Sequence, residues 1–493
     1  MKVLFINPKT AGYARSISTP LGLLSIATFL ESKNCNVKIY DRSVDKTNIK
    51  NVVDSFNPDV VGISLVSYKS VDDTLSVAKY LKSVGLPVIL GGPLPSELFK
   101  ITLDYDFIDM VSIGEGEMTW LDIVRYYEGK IKNINDIKGI AYKNANGEVI
   151  RTPERDFMDL SQIPPLNWSL IDVPRYFQSS YGCDRMLYLY SAKGCPFSCK
   201  FCYNKDFHKC TYRKRPLEFL LEEIKVLVEN YGMNGVYFAD ELWCRNSEEM
   251  HDICDKLKAL NLDFVWGCQT RVGIFEQEDF MYMYNSGCRW VFFGVESGSK
   301  KILSKINKRI DYEKIEQTFA DCTKAGLVCI GSFIVGLPEE STEDIKDTVN
   351  LIKKLDTQLI NCNYLAVVPG SEIYHDLIAN GSYRKIENLE DFAKKNPLDR
   401  LEYNFSKVPD IDLKVIRAFF MWRSFTAKDV PGNSNYGFAR KVITDAVKSV
   451  RTGDFLSFVL STLYAGTEFL EIFFYSHFLI SLKKKYGLDK FRR

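Results

Sequence analysis

The sequence lacks several features that would indicate where the protein is located or what it binds. Its apolar C-terminal segment, Phe455–Leu482, contains at most 13 consecutive uncharged residues before Glu468, whereas a helix needs about 20 apolar residues to cross a bilayer. The net charge of +1 gives no general attraction to nucleic acid, so we expect no nucleic-acid partner. The N-terminal apolar stretch, MKVLFIN, is too short for a secretory signal and suits a strand. We therefore expect a cytoplasmic protein.

Histidine is also scarce, and cysteine is distributed in an unusual way. There are four histidines, the first at His208, and thirteen cysteines. Without a secretory signal, these cysteines are expected to be reduced thiols and not a disulfide framework. Outside one short stretch they show no C-x₂-C pairing, so most are expected to be small apolar core residues.

That stretch, Gly194–Asn204, has the sequence GCPFSCKFCYN. Cys195, Cys199 and Cys202 follow the spacing C-x₃-C-x₂-C, which fits a tight loop of three thiolates. A [4Fe–4S] cluster normally takes four protein thiolates, so three leave one iron open for chemistry. The alternative is a structural zinc or iron site that Cys210 closes.

At these residues the chain resembles the radical SAM (S-adenosylmethionine) enzymes. The resemblance implies that the open iron of the cluster binds SAM and that one electron cleaves SAM to methionine and a 5′-deoxyadenosyl radical. It also implies that Phe201, the aromatic residue before the third cysteine, lies by the adenine. An exposed cluster of this kind is oxygen-sensitive, so we expect an anaerobic setting.

The first 130 residues alternate short apolar runs with helix-period segments. Continuous apolar strands between helices are typical of a parallel sheet that is covered on both faces, so we predict a flavodoxin-like doubly wound α/β domain. Its ligands are expected at the carboxyl ends of the strands. The predicted strands are Val3–Asn7, Val37–Asp41, Val60–Ser64, Val88–Gly92 and Met110–Gly114.

Small residues and glycines follow these strands, and they resemble the cobalamin-binding domain that precedes many radical SAM domains. The resemblance implies cobalamin, but no histidine of this domain is available to bind cobalt. The alternatives are an inherited fold that has lost the cofactor and a fold that binds substrate there. The predicted binding residues are Ser64, Leu65, Gly91, Gly92, Pro93, Gly114, Glu115, Gly116 and Glu117.

Strand–helix units recur after a proline-rich connector, residues 131–184, which contains a predicted hairpin. Six such units predict a partial (β/α)₆ barrel over residues 185–400, with chemistry at the carboxyl ends of its strands. The predicted strands are Met186–Ser191, Gly235–Ala239, Phe264–Gln269, Trp290–Val295, Val328–Ile334 and Leu359–Val367.

Polar residues stand at these strand ends, where SAM offers an ammonium, a carboxylate and ribose hydroxyls. The resemblance implies that the FADE segment meets the amino group, that GVESGS meets the ribose and methionine, and that GSFIVGLPEES packs against adenine. A structural ion pair is the alternative role of Glu296. The predicted SAM-binding residues, with Phe201, are Asp240, Glu241, Arg271, Glu296, Ser297 and Gly336.

Residues 401–493 read as a helical C-terminal domain, with candidate helices at Leu413–Ala427, Ala439–Arg451 and Phe455–Leu482. Lys483, Lys484 and Lys485 follow the last one. An amphipathic helix that ends in basic residues could rest on a membrane surface, and a helical cap on the barrel is the alternative.

Together these features predict a radical SAM enzyme, most simply a cobalamin-dependent methyltransferase acting on an unactivated carbon. The alternatives are a radical rearrangement, cyclisation or oxidation without methyl transfer, and a non-catalytic iron–sulfur or zinc binding module. The expected partners are a small-molecule or lipid-like substrate and an electron donor such as flavodoxin or ferredoxin.

Overall fold

A computed structural model describes residues 1–10, 18–355, 357, 359–395, 401–425, 484–486 and 488. Within these ranges the chain forms two large sheets, and helices pack against both. The strands of the first sheet are β1 (Lys2–Asn7), β2 (Asn36–Asp41), β3 (Val60–Ser64), β4 (Val88–Gly91), β5 (Met110–Ser112), β6 (Ile140–Lys143) and β7 (Val149–Arg151).

The first sheet has the strand order β2-β1-β3-β4-β5-β6-β7, and its first five strands are parallel. The order 2-1-3-4-5 is that of flavodoxin-like folds, so the predicted doubly wound domain is confirmed. In β1, Val3 and Phe5 pack into one hydrophobic cluster, whereas Leu4 and Ile6 pack into another. Successive strand residues therefore bury their side chains on opposite faces of the sheet.

Helices cover both faces, which explains why the strands are apolar throughout. Their buried residues recur at helical spacing, as in Thr74, Ala78 and Leu81 of the helix Val71–Ser83. The helices of this region are α1 (Leu21–Glu31), α2 (Ile49–Phe56), α3 (Val71–Ser83), α4 (Pro93–Glu97), α5 (Phe99–Thr102) and α6 (Glu117–Tyr127).

The predicted hairpin forms, and it extends the first sheet. Strand β6 pairs antiparallel with β5, and β7 pairs antiparallel with β6. Gly147 has φ 80° in the connecting turn, a conformation that glycine adopts readily. The sheet thus continues past residue 130 to Arg151, and the division of the chain into domains at residue 130 stays a prediction.

The second sheet has the strand order β16-β15-β14-β13-β12-β9-β8. In the described ranges its strands from β9 to β16 are parallel, and β8 pairs antiparallel with β9 at the edge. All six predicted barrel strands are present, and the sheet curls into a half barrel. The strands after β7 are β8 (Gln178–Ser180), β9 (Cys183–Leu189), β10 (Ala192–Lys193), β11 (Arg213–Lys214), β12 (Gly235–Phe238), β13 (Val265–Thr270), β14 (Cys288–Glu296), β15 (Val328–Val335) and β16 (Leu359–Tyr364).

Helices follow the barrel strands, and one of them begins with a capping box of Ser341 and Asp344. The remaining helices are α7 (Asn204–Phe207), α8 (Leu217–Tyr231), α9 (Ser247–Ala259), α10 (Gln277–Asn285), α11 (Lys300–Lys305), α12 (Lys314–Lys324), α13 (Thr342–Lys354), α14 (Glu372–Ala379), α15 (Leu389–Lys395) and α16 (Asp410–Phe425).

Helix α16 lies against β16, where the hydroxyl of Ser424 accepts from the N–H of Ile360 (2.8 Å) and donates to its carbonyl oxygen (2.7 Å). The predicted helices at Ala439–Arg451 and Phe455–Leu482 lie outside the described residues. Among the helices that the structure does describe, none combines the length and hydropathy that a membrane span requires.

Candidate active site

The cysteine stretch forms a loop after β9, and the antiparallel pair of β10 with β11 closes its base. Gly194 has φ 82°, and a Cβ atom there would lie 2.4 Å from the carbonyl oxygen of Thr211, so a side chain does not fit. The buried Asn204 accepts from the N–H of Cys195 (3.1 Å) and donates to the carbonyl oxygens of Cys195 (2.6 Å) and Phe197 (3.1 Å). These contacts fix the backbone of the loop.

The thiols of the loop lie close enough to influence one another electrostatically. Burial raises the pKa of Cys195 and raises that of Cys202 to about 12, so their thiolates need positive charge nearby. Arg271 supplies some of it, because its Nη1 lies 3.7 Å from the Sγ of Cys199. Iron ions would supply the rest, and three thiols on one fixed loop fit a [4Fe–4S] cluster with an open iron.

The same side chains do not form a site for a single ion. In the part of the chain that the structure describes, no group of three or more His, Cys, Asp or Glu side chains is placed to hold one metal ion. A cubane has a different requirement, because each thiolate binds a different iron atom. Substitution of Cys210 distinguishes the cluster from the alternative in which Cys210 closes a structural metal site.

Asp240 and Glu241 follow β12 and both hold the cluster loop. Asp240 is buried and accepts from the N–H of Ser191 (2.7 Å) and from that of Ala192. Burial raises the pKa of Asp240 to about 8. Glu241 accepts from the N–H of Gly194 (3.0 Å), the residue before the first cluster cysteine. Burial favours a higher pKa for Glu241, but His208 and this N–H lower it below its ordinary value.

Glu296 ends β14 in a left-handed conformation, with φ 71°. Strained backbone of this kind is found mostly at functional sites. Its Oε1 accepts from Lys308 Nζ at 2.7 Å, so the ion-pair alternative describes its contact in the structure. Lys308 Nζ also lies 6.0 Å from the ring centroid of Phe201, which places two predicted SAM-binding residues around one cation.

The other predicted barrel residues make contacts that stabilise the strand ends. Arg271 donates to the carbonyl oxygens of Lys308 and Arg309, and its guanidinium lies 3.7 Å from the ring centroid of Phe197. Ser297 is fully buried, with its Oγ 3.3 Å from Thr348 Oγ1.

Gly336 has φ 85° and donates its N–H to Glu340 (2.8 Å). Glu340 is fully buried, and burial raises its pKa to about 8. The contacts of Gly336 are therefore those of a tight turn after β15.

A cavity of about 860 Å³ lies between the carboxyl edge of the first sheet and the mouth of the barrel. Leu65 is fully buried behind its surface, whereas the next residue, Val66, is 62% exposed and lines it. Glu241 of the barrel, a predicted SAM-binding residue, lines the same cavity, so the cavity extends from the predicted cobalamin site to the end of β12. The predicted cobalamin-binding residues in its lining are Ser64, Gly91, Gly92, Pro93, Gly114, Glu115, Gly116 and Glu117.

The two glutamates of the turn after β5 pair with cations of the barrel. Glu115 accepts from both terminal nitrogens of Arg213. Glu117 accepts from Lys193 Nζ (2.7 Å) and from Ser25 Oγ (2.6 Å). Burial favours a higher pKa for Glu115, but His208, Lys193 and Arg213 lower it to about 2. These ion pairs connect the first sheet to the barrel.

Sequence reasoning did not single out several residues that the structure places at the site. The cavity is lined by Lys193, His208 and Val66. Arg213 pairs with Glu115, and Asn204 fixes the backbone of the cluster loop. Asn204 could have been found, because it ends the cysteine stretch. The others carry no local signal, since their partners lie far away in the sequence.

Two parts of the chain match known protein-family models. Residues 10–124 match the B12 binding domain, and residues 189–352 match the Radical SAM superfamily. Among solved structures, TsrM of Kitasatospora setae, a radical S-adenosylmethionine methyltransferase with cobalamin and a [4Fe–4S] cluster bound, aligns with a TM-score of 0.63 and 17% identity over 77% of this chain and 75% of its own. The cobalamin-dependent radical enzyme OxsB aligns with a TM-score of 0.69 and 16% identity over 99% of this chain and 80% of its own. At these low sequence identities, the two alignments show a similar fold.

Curated relatives align over most of the chain. A protein of Pyrococcus horikoshii named as an uncharacterized methyltransferase is 28% identical over 87% of this chain and 95% of its own length. The anaerobic magnesium-protoporphyrin IX monomethyl ester cyclase of Rubrivivax gelatinosus is 26% identical over 86% and 78%. The cytidylyl-2-hydroxyethylphosphonate methyltransferase of Streptomyces wedmorensis is 25% identical over 79% and 84%.

Proposed function

Because the chain belongs to the radical SAM enzymes that carry a B12-binding domain, we propose that it is a cobalamin-dependent methyltransferase that acts on an unactivated carbon. The observation that carries this proposal is the cavity that extends from the first sheet to Tyr203 of the cluster loop. The carbon that one cofactor activates must lie within reach of the methyl group of the other cofactor, so both cofactors must face the same enclosed space.

We assign the cluster to Cys195, Cys199 and Cys202. When bound, the cluster supplies the electron that cleaves SAM to methionine and a 5′-deoxyadenosyl radical, and cobalamin supplies the methyl group. The chain fixes the loop through Asn204 and Glu241 and places the charge of Arg271 next to a cluster thiolate.

The remaining assignments follow from the strand ends. Glu296 has a carboxylate that can accept from the ribose hydroxyls of SAM, and Phe201 offers a ring beside Lys308, the cation that Glu296 contacts. The proposed SAM-binding set is Phe201, Asp240, Glu241, Arg271, Glu296, Ser297 and Gly336. The proposed cobalamin-binding set is Ser64, Gly91, Gly92, Pro93, Gly114, Glu115, Gly116 and Glu117. Leu65 is left out of this set, because its side chain is buried and does not line the cavity.

We further propose a small-molecule substrate, an electron donor such as flavodoxin or ferredoxin, and a cytoplasmic location with reduced thiols. Contact with a membrane surface through Phe455–Lys485 rests on sequence alone, because Phe455–Lys483 lies outside the described residues. Flotation of the protein with anionic liposomes tests this contact, and recovery of all protein in the unbound fraction would contradict it.

One alternative is favoured by a specific comparison. The relative from Rubrivivax gelatinosus is named as a cyclase, so a radical ring closure without methyl transfer fits the same cofactor set. The two functions differ in the fate of the methyl group of SAM.

The test is anaerobic reconstitution with iron, sulfide and cobalamin, followed by reduction with SAM that carries an isotopically labelled methyl group. We expect 5′-deoxyadenosine and, with a substrate supplied, a labelled methylated product. Absence of 5′-deoxyadenosine under reduction would exclude the radical function. Formation of 5′-deoxyadenosine with an altered but unlabelled product would support cyclisation or oxidation.

A further inference from the structure

The strands of the half barrel have an inner face, which the proposed cofactor-binding residues touch only at its edge. Helices form the outer layer of such barrels, and Val236, Cys268 and Phe293 are buried in the cluster that packs against them. Because successive side chains of a strand point to opposite faces, the residues next to these positions belong to the inner face. The inner face comprises six residues that are all partly exposed: Tyr188, Tyr237, Gln269, Phe292, Asn361 and Asn363.

Three aromatic rings lie on the inner face. Tyr188 of β9 and Tyr237 of β12 are paired across their strands, with ring centroids 5.4 Å apart in an edge-to-face arrangement. Phe292 of β14 is paired with Gln269 of β13. Burial raises the pKa of both tyrosines, so their hydroxyls are uncharged at neutral pH. Partly exposed rings of this kind offer apolar faces and edges to a planar ligand.

The polar groups of the inner face are amides and hydroxyls. The hydroxyl of Tyr237 donates to Gln269 Oε1 at 3.3 Å, and Asn363 Nδ2 donates to Asn361 Oδ1 at 3.3 Å. Both hydrogen bonds are long for their type, so they can be exchanged for bonds to a ligand. Each amide side chain offers donors and an acceptor, so it can bind the hydroxyl or amide groups of a ligand.

The charged pair at the edge of the inner face is satisfied within itself. Glu296 ends β14, four positions after Phe292, and its Oε1 accepts from Lys308 Nζ (2.7 Å). The six residues of the inner face are themselves uncharged. A carboxylate or phosphonate that lay on them would lose its hydration without gaining a cation from these residues, which is costly. An uncharged ligand avoids that cost.

The inner face leads into the cavity. Ala239 lies two positions after Tyr237 and therefore on the same face. Its N–H donates to the carbonyl oxygen of Leu189 (2.8 Å), so the pairing of β12 with β9 continues to this residue. Ala239 is exposed and lines the cavity, as the predicted cobalamin-binding glycines do.

The same face reaches Glu296, a proposed SAM-binding residue. Gly294 is paired with Ser332 of β15, and Ser332 is paired with Asn361 of β16. A Cβ atom on Gly294 would lie 2.6 Å from Glu296 Oε1, so the carboxylate of Glu296 lies over this row of residues. A ligand on the inner face is therefore next to the proposed positions of both cofactors.

We propose that the inner face binds the substrate of the methyl transfer, and that this substrate is an uncharged molecule with a planar ring system and with hydroxyl or amide groups. The three aromatic rings of the face contact the planar part of the substrate, and its three amides bind the polar groups. This inference rests on the proposed function, because it names the substrate class of that reaction.

The first test compares two probes that share one ring and differ in charge. The probes are 2-naphthamide, which is neutral, and 2-naphthoate, which carries a carboxylate. Equilibrium dialysis against the anaerobically reconstituted protein measures both dissociation constants. We expect 2-naphthamide to bind at least about tenfold more tightly. Equal affinities, tighter binding of 2-naphthoate, or no binding of either probe would overturn the proposed substrate class.

The second test places a charge on the inner face. Asn361→Asp replaces an amide by a carboxylate of the same shape, so we expect the cation 2-naphthylmethylamine to bind about fivefold or more tightly than to the unaltered protein. The control is Asn285→Asp, the same change at an exposed residue that ends α10, and it should leave this affinity unchanged. If Asn361→Asp binds the amine no more tightly than the control does, ligands do not lie on the inner face.

A third measurement separates substrate from SAM. We expect Asn361→Asp to change the dissociation constant of SAM less than that of the amine, and an equal change would mean that the inner face holds SAM and not the substrate. Formation of 5′-deoxyadenosine by the unaltered protein under reduction is measured without any probe. Its absence would refute the proposed function, and that result does not depend on the dialysis.

Discussion

The strands of the two sheets end in residues of different chemical character. The strands of the first sheet end in small neutral residues, such as Ser64, Gly91 and Ser112, and in the exposed Val66. The barrel strands end in charged groups that are buried and paired, such as Glu296 with Lys308. A neutral, glycine-lined edge suits the broad face of a corrin ring, whereas paired charges suit the ammonium and carboxylate of SAM.

The difference extends to how each region is held together. The first sheet depends on close backbone approach, as at Gly92, where a Cβ atom would lie 2.8 Å from the carbonyl oxygen of Leu65. The barrel mouth depends on ion pairs in a low-dielectric setting, where removal of one partner is costly. Substitutions in the first sheet should therefore destabilise the protein through steric clashes, whereas substitutions at the barrel mouth should destabilise it through unpaired buried charges.

The largest effect is expected at the cluster loop. Replacement of Cys199 by Ala removes one of three thiolates, so we expect loss of the cluster and no detectable 5′-deoxyadenosine. Iron analysis and product analysis under reduction measure both. Cys210→Ala is the control and should keep iron and activity, and loss of the cluster in that variant would restore the structural-site alternative.

A strong effect on stability is expected for Glu223→Gln. The side chains of Arg215 and Glu223 are 0% and 1% exposed, and Glu223 also accepts from the N–H of Leu166 (2.7 Å). The substitution leaves Arg215 as an unpaired buried charge, at a cost of about 3–5 kcal/mol in the free energy of unfolding. Urea titration measures this loss.

The control for that substitution is Glu222→Gln, which changes an exposed residue of the same helix. It should change the free energy of unfolding by less than about 0.5 kcal/mol. Equal losses in both variants would show that the buried pair is not the source of stability.

A smaller effect is expected for Gly92→Ala in the first sheet. Gly92 has φ 107° and contacts the backbone of Leu65, so an added Cβ atom should cost about 1–3 kcal/mol of stability. Gly22→Ala is the control, because no atom lies within 4 Å of its added Cβ and it lies in α1. In the same urea titration we expect Gly22→Ala to be neutral or stabilising, and a neutral Gly92→Ala would contradict the close approach.

The smallest effect is expected for Val66→Ser. Cobalamin bound in the cavity should cover Val66, so loss of this apolar contact should cost about 1 kcal/mol, or about a fivefold rise in the Kd of cobalamin. Val84, which is exposed at the end of α3, provides the control Val84→Ser. If both variants bind cobalamin like the unaltered protein, Val66 does not contact the cofactor.

Local patterns predicted much of the fold. The strands β1 and β12 were predicted because their apolar residues are consecutive and flanked by turns. The cluster loop was predicted because its three cysteines lie within eight residues. Each of these signals depends on neighbours in the sequence, which is why a single sequence suffices to detect it.

Local sequence specifies the two α/β units and the cysteine loop, because strand, helix and loop preferences are set by residues a few positions apart. The docking of the two sheets decides that Glu115 pairs with Arg213, 98 positions later, and that His208 stands between Glu115 and Glu241. It also decided that Val66, and not the buried Leu65, faces the cavity. Contacts of this kind depend on how two sheets dock, and docking is governed by the shape and charge of whole surfaces, which no short stretch of sequence contains.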